Sequence, residues 1–351
     1  MTVIHCLGSG LVGSFVIRKL LEEKVQINLV DIEEKEEFVG NEFLTIHVKD
    51  ALEYCKFTPY KDEIFVNMLP GDLGFLATEI LVSRGKRIID LSFSEITPDC
   101  LAKEAVDSGA KVLWDVGIAP GLSNMLVTYA SRLGEGIISA EIRVGGNPTE
   151  IDEKWSYMAP FSPHDVIAEY TRPARIIKSG KIKILPALSD IHRIKVEDFG
   201  EMESFLTDGL RSLLITTPAE DMSEYTVRWP GHIQRYIDQR DAGNLNHEQL
   251  VEDWKFDQMR EEFTWMEVKV SCKNGEKMIW TVFDKGKDGD SSMARTTGLV
   301  TVSCVRQWIS NPELVLVGVH PPEALPNFVI SNITQALKDE GIVIKGPDIL
   351  L

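Results

Sequence analysis

The 351-residue sequence has no apolar run approaching the roughly 18 to 20 residues that span a bilayer, so no membrane-spanning helix is expected. Its start, MTVIHCLGSG, lacks the basic flank, apolar stretch and small-residue cleavage site of a secretory signal and runs straight into a predicted strand. Positive charge is scarce: 37 Lys and Arg stand against 54 Asp and Glu, a formal net charge of −17, with no basic stripe. Nucleic-acid binding depends on clustered cations neutralising phosphates, so that partner class is not expected. The five cysteines, Cys6, Cys55, Cys100, Cys272 and Cys304, are odd in number, widely spaced and without a C-x-x-C pair. That argues against a zinc or redox motif and fits a reducing cytoplasm. No H-E-x-x-H, G-x-S-x-G or P-loop pattern occurs, which removes the metalloprotease, esterase and ATPase readings. The seven histidines are dispersed, and Asp284 to Asp290 lacks the ligand spacing of a calcium loop, so no metal is expected.

Over the first 130 or so residues, apolar strand-like runs alternate with amphipathic stretches, the pattern of a parallel sheet covered by helices. Strands are predicted at Val3 to Leu7, Ile27 to Val30, Phe43 to His47, Ile64 to Met68, Ile88 to Leu91 and Val112 to Trp114. Helices are predicted at Leu11 to Glu23, Leu73 to Arg84 and Asp99 to Ser108, the last two closed by Gly85 and Gly109. From about Ser139 the composition turns to longer β-rich stretches with scattered Pro and Trp. The expectation is an α/β fold: a Rossmann doubly wound parallel sheet over residues 1–125, followed by an α+β domain. Thr264 to Phe283 alternates on both sides of Lys273-Asn274-Gly275-Glu276 and predicts a hairpin. Helices are further expected over Glu248 to Glu262 and Ala294 to Ile309.

Gly8-Ser9-Gly10-Leu11-Val12-Gly13 fits G-x-G-x-x-G between a strand and an apolar helix. Gly8 permits the tight turn, Gly10 lets the backbone approach a pyrophosphate, and Gly13 lets the helix pack closely while its N-terminal amides, with those of Leu11 and Val12, face the phosphates. Asp31 ends the second strand 18 residues after Gly13, where a carboxylate accepts hydrogen bonds from ribose hydroxyls and repels a 2′-phosphate. NAD is therefore the expected cofactor. Leu69, Pro70 and Ser92, beyond the carboxyl ends of the fourth and fifth strands, are candidates for lining its nicotinamide half, or are ordinary loop residues.

The segment Trp114-Asp115-Val116-Gly117-Ile118-Ala119-Pro120-Gly121-Leu122-Ser123-Asn124 resembles the saccharopine dehydrogenase-like family, especially its lysine 6-dehydrogenase branch. Further along, the segments Glu169-Tyr170-Thr171-Arg172-Pro173-Ala174-Arg175, Leu206-Thr207-Asp208-Gly209-Leu210-Arg211 and Arg228-Trp229-Pro230-Gly231-His232 resemble it too. The stretch Trp155 to Pro163 matches neither the lysine nor the saccharopine branch. The resemblance implies an α+β domain for substrate and dimerisation over 126–293 and a segment over 294–351 returning to the first domain. It implies a homodimeric enzyme that oxidises the side-chain amine of L-lysine with NAD, giving an imine that hydrolyses to the semialdehyde and cyclises, with ammonia and NADH released. A saccharopine-type reductase or carboxynorspermidine synthase, forming a C–N bond, is the related alternative; a non-catalytic NAD-binding protein is the third.

An ammonium nitrogen has no lone pair to support hydride loss from the adjacent carbon, so a base must first take its proton. Asp115, at the end of the sixth strand, and His232, with an ordinary pKa near 6.5, are the candidates. Each also has a structural reading, as a loop-holding residue and as the first residue of a helix. An amino acid's carboxylate calls for a planar cation, a role open to Arg172, Arg175 or Arg211, any of which also suits a surface ion pair. Thr171, Thr207 and Asp208 are candidates for the polar remainder, Asp208 for an amino group. Tyr157 and Tyr170 are pocket walls or core aromatics.

Overall fold

Short β-branched runs, most of them followed by a helix, build the first part of the computed structural model, which describes residues 2–58 and 63–350. The order is β1 (Val3–Leu7), α1 (Leu11–Leu21), β2 (Gln26–Asp31), β3 (Leu44–Val48), α2 (Ala51–Phe57), β4 (Ile64–Asn67), α3 (Gly71–Ser83), β5 (Arg87–Asp90), α4 (Ala102–Ser108) and β6 (Lys111–Trp114). Next come α5 (Leu122–Leu133), β7 (Ile137–Pro148), α6 (Pro163–Thr171), β8 (Ala174–Lys178), β9 (Lys181–Leu185), β10 (His192–Val196), β11 (Gly200–Leu206), α7 (Leu213–Thr216), β12 (Asp221–Arg228), α8 (His232–Asp241) and α9 (His247–Asp253). The chain closes with β13 (Glu262–Cys272), β14 (Lys277–Lys285), α10 (Ser292–Ser310), β15 (Gly318–His320), α11 (Asn327–Asp339) and β16 (Val343–Lys345).

Two units result, one of Met1–Leu122 with Thr297–Ala336 and one of Ser123–Thr296 with Leu337–Leu351. In the first, seven parallel strands lie in the order β15-β6-β5-β4-β1-β2-β3. The winding reverses between β1 and β4, which is the Rossmann arrangement, and ligands bind at such a reversal beyond the carboxyl ends of the strands. Its buried apolar cluster joins strand residues Leu7, Phe65, Ile88 and Val112 to Leu81 and Ala105 of the covering helices.

The second unit is a nine-stranded mixed sheet, β10-β11-β12-β7-β13-β14-β16, with β8 attached to β12 and β9 to β8. Only β12 and β7 run parallel in it; the other pairs are antiparallel. Packed within this unit, α6, α8 and α9 enclose an aromatic cluster of Trp155, Tyr157, Tyr170, Tyr236 and Trp254. The predicted hairpin is β13–β14, its turn closed by the Cys272 amide donating to Glu276 O at 2.8 Å, with Gly275 at φ +91.

Three expectations are corrected. Helix α2 was not anticipated, although Asp50 caps it by accepting from the Glu53 amide at 2.9 Å, a D-x-x-E signature readable in the sequence. The helix expected to Glu262 ends at Asp253, and the Asp257 carboxylate then accepts from the Met259 amide to turn the chain into β13. The C-terminal segment does not return to the first unit as a whole: Leu337–Leu351 belongs to the second, where β16 pairs with β14. No helix among the described residues is long and apolar enough to cross a membrane, and the five cysteines are free thiols.

Candidate functional site

At the reversal point of the parallel sheet, Gly8 has φ +88, and a Cβ there would lie 3.2 Å from Met68 O. A Cβ on Gly13 would lie 2.5 Å from Gly8 O, so α1 can approach the loop only without a side chain at that position. A Cβ on Gly10 would meet nothing within 4 Å, which leaves room above the helix start. The first helical bond, from the Ser14 amide to Gly10 O, leaves the amides of Leu11, Val12 and Gly13 outside the ladder. Unopposed N–H groups, a helix dipole and open space suit a pyrophosphate. Asp31 accepts from the Ser9 amide at 2.8 Å and hydroxyl at 2.5 Å through one oxygen, and from the Glu33 amide at 3.1 Å through the other. Burial opposes its charge, but these hydrogen bonds bring the carboxyl below its ordinary value. It is held ionised and oriented, with lone pairs left for a ribose.

Leu69 is half-buried and Pro70, which starts α3, is exposed. Ser92 is buried, and its hydroxyl and amide donate to Asp90 at 2.6 and 2.7 Å. Asp90, which has no role in the sequence reading, also accepts from Thr78 at 2.6 Å. Burial pushes its carboxyl up to about 6 against these bonds, with Asp115 adding to the rise. Asp115 itself is buried at φ +54, following β6. The loop after it is closed by Gly121, where a Cβ would lie 2.0 Å from Gly117 O.

In the second unit the predicted substrate residues separate into groups. Thr171 is exposed, its hydroxyl turned back on Ile167 O at 3.3 Å, and Arg172 is half-buried at the end of α6. Asp208 is buried and paired: Arg175 holds it through Nε at 2.8 Å and Nη2 at 2.7 Å. The same pair commits Arg175. Arg211 is buried with φ +49. Thr207 is buried against Glu224 and Thr226.

His232, the first residue of α8, is buried with both ring nitrogens engaged. Nδ1 lies 2.8 Å from Trp155 O, which can only accept, so Nδ1 carries the hydrogen and Nε2 accepts from Tyr170 OH at 2.8 Å. Tyr170 OH accepts in turn from Arg228 Nε at 2.9 Å. Burial, then Arg228, pushes the imidazole down to about 3. A neutral ring with no lone pair to spare is a structural link, so the base role read from the sequence has no support here. His232 is expected to make stability acid-sensitive. Its folded pKa of about 3 lies below the ordinary 6.5, so between them the unfolded chain binds a proton that the folded chain does not. Stability from this group is full above the ordinary value and lost as pH falls through that window. Thermal midpoints of wild type and His232→Gln at about pH 7 and about pH 5 check it. The variant should lose less on acidification; equal losses would contradict the assignment.

Sequence reasoning gave no role to Glu169, Glu224, Thr226 and Arg228. Glu224, Thr226 and Arg228 alternate on one face of β12, and Arg228 Nη2 donates to Glu169 at 3.1 Å and to Tyr157 OH at 3.3 Å. Burial pushes the Tyr157 and Tyr170 phenols up; the Arg228 guanidinium is raised against its own burial by those phenols and Glu169.

A phosphate-ready turn with an ionised aspartate at a parallel-sheet reversal, joined to a mixed-sheet unit with buried acid–arginine–tyrosine chemistry, places the chain among the Rossmann-fold oxidoreductases. The family model of the saccharopine dehydrogenase C-terminal domain matches residues 117–342. The chain belongs to the saccharopine dehydrogenase-like family. It is 27% identical over 190 residues to the mitochondrial alpha-aminoadipic semialdehyde synthase of Bos taurus, a match covering 50% of this chain and 20% of that protein. The chain thus spans about a fifth of that relative's length. Its fold matches saccharopine dehydrogenase (L-Glu forming) from Saccharomyces cerevisiae, with a TM-score of 0.73 and 15% identity over 99% of this chain and 100% of that one. It also matches homospermidine synthase from Legionella pneumophila, solved with NAD, with a TM-score of 0.67 and 12% identity over 99% and 91%.

Proposed function

We propose that this chain is an NAD-dependent dehydrogenase that oxidises the side-chain amine of L-lysine, releasing ammonia and giving a semialdehyde that cyclises. One observation carries the reading: the three downstream segments that resemble lysine 6-dehydrogenases, distant in sequence, meet in the second unit. Tyr170 bonds to His232 and Arg228, and Arg175 to Asp208. Gly8, Gly10, Leu11, Val12, Gly13 and Asp31 would hold NAD, with Leu69, Pro70 and Ser92 beside its nicotinamide. When bound, NAD supplies the acceptor for a hydride from the carbon bearing the amine. The residues of this chain must strip the ammonium of a proton, hold the amino acid and exclude water. Asp115 remains a candidate for proton transfer. Thr171, Arg172, Thr207 and Arg211 remain candidates for substrate contact. The proposal includes a homodimer in the cytoplasm, a reducing compartment that suits five free thiols.

The test is a steady-state assay with L-lysine and NAD that follows NADH and ammonia together. Stoichiometric release of both is expected. Turnover only when an amine and an aldehyde or 2-oxo acid are reduced together would replace this reading with C–N bond formation.

A further inference from the structure

A continuous hydrogen-bonded chain crosses the interior of the second unit from β12 to α6. Thr207 Oγ1 is bonded to Glu224 Oε2 and lies 3.0 Å from Thr226 Oγ1, which lies 3.5 Å from Glu169 Oε2. These are three links between two carboxyl groups, and each link needs one hydrogen. The two threonine hydroxyls provide one each. The third must come from a carboxylic acid, so one of the two glutamates carries a proton. Arg228 decides which: its Nη2 donates to Glu169 Oε2 at 3.1 Å and gives that carboxylate a cation. Among the described residues Glu224 has no such partner: the neighbouring Asp208 takes Arg175 for itself. Each hydroxyl hydrogen then points the same way, from Glu224 through Thr207 and Thr226 to Glu169.

Access differs at the two ends. Glu224 is 4% exposed and sealed by Gly209, where a Cβ would lie 2.5 Å from Glu224 Oε2. The Glu169 side chain keeps 14% of its surface open. We propose that Glu169 accepts the proton of the substrate ammonium and that Glu224, itself protonated, is the positioning residue that aligns the threonine hydroxyls on Glu169. The step balances: the substrate N–H bond breaks, an O–H bond forms on the Glu169 carboxylate, and the nitrogen keeps the electron pair. This rests on the amine-oxidation reading above.

Both carboxyls feel opposing influences. Burial raises the Glu169 carboxyl toward neutrality, opposed by Arg228, with Asp165 raising it and Thr226 and Arg172 lowering it. Burial pushes Glu224 up to about 8; Thr207, which donates to the ionised form alone, and the Gly209 amide oppose this, and Glu169 and Asp208 add to it. Tyr157 and Tyr170 face Arg228 from the aromatic cluster and are neutral phenols.

Two measurements test the proposal. In ligand-free protein at neutral pH, the infrared difference between wild type and Glu224→Gln should contain the carbonyl band of a protonated carboxylic acid, and that difference should disappear on titration near the Glu224 value; Glu262, which burial pushes up to about 7, is common to both proteins and cancels. A difference spectrum without that band overturns the proton assignment without reference to any substrate. With lysine and NAD, Glu169→Gln should lower kcat about 10²- to 10⁴-fold. It should also abolish the acidic limb of the kcat/KM profile, with Glu169→Asp recovering part of both. Glu224→Leu removes a donor that lowers the Glu169 pKa, so that limb should move to higher pH, and Glu224→Gln, whose amide donates in place of the acid, should bring it back. An unchanged kcat and limb in Glu169→Gln overturns the acceptor role. Wild type that shows the infrared band but oxidises no amine overturns the function reading and leaves the proton assignment supported.

Discussion

Replacing Arg228 by methionine is expected to destabilise the protein by about 3–5 kcal/mol, the cost of leaving one partner of a buried ion pair uncompensated. Arg228 is 2% exposed, and its guanidinium serves Glu169, Tyr170, Tyr157 and Val227 O at once. Methionine fills much of the volume and leaves all of these acceptors without the guanidinium. Urea denaturation reads the effect as a lower midpoint at unchanged slope. The double variant Arg228→Met with Glu169→Leu should recover a large part of the loss, because removing both partners leaves no buried charge. If the double variant unfolds at the same midpoint as Arg228→Met, a stranded Glu169 charge does not account for the loss.

The second large effect is expected at the nucleotide turn. A valine at Gly13 sets its Cβ 2.5 Å from Gly8 O and 3.1 Å from Gly8 C, and these are backbone atoms that cannot swing aside. Helix α1 must back away from the loop that would hold the pyrophosphate. Overpacking of this kind costs about 1–3 kcal/mol. Expressed as binding, that is a roughly 5- to 150-fold weaker Kd for NAD. Calorimetric titration of the folded variant with NAD checks it. Native affinity in Gly13→Val would remove the turn from the cofactor site.

Unit by unit, the sequence was legible to different depths. The six strands and the glycine turn of the parallel sheet could be read because their information is local: β-branched runs, a G-x-G-x-x-G spacing and an acid at the end of a strand. Asp90 was passed over in favour of Ser92 because adjacent residues in a sequence do not reveal which is the hub; only the approach of Thr78 from α3 makes Asp90 one. His232 read as a base because its ordinary pKa suits one. What disqualifies it are the Trp155 carbonyl and Tyr170 hydroxyl, 77 and 62 residues away in the chain. Asp208 and Arg175 read as separate ligand candidates and are each other's partner for the same reason. Glu224, Thr226 and Arg228 did leave a trace, an i, i+2, i+4 alternation of polar groups, but it gains meaning only once β12 is known to be a buried strand.

The seventh strand of the parallel sheet, β15, pairs with β6 yet is encoded roughly 200 residues after it. At about 5–20 residues per second, a ribosome takes roughly 10–40 s to cover that distance. Throughout that interval the nascent first unit presents β6 with one side unpaired while the mixed sheet is being made. The nucleotide fold is thus begun first and finished nearly last, so a fragment ending at Leu122 would lack its outer strand.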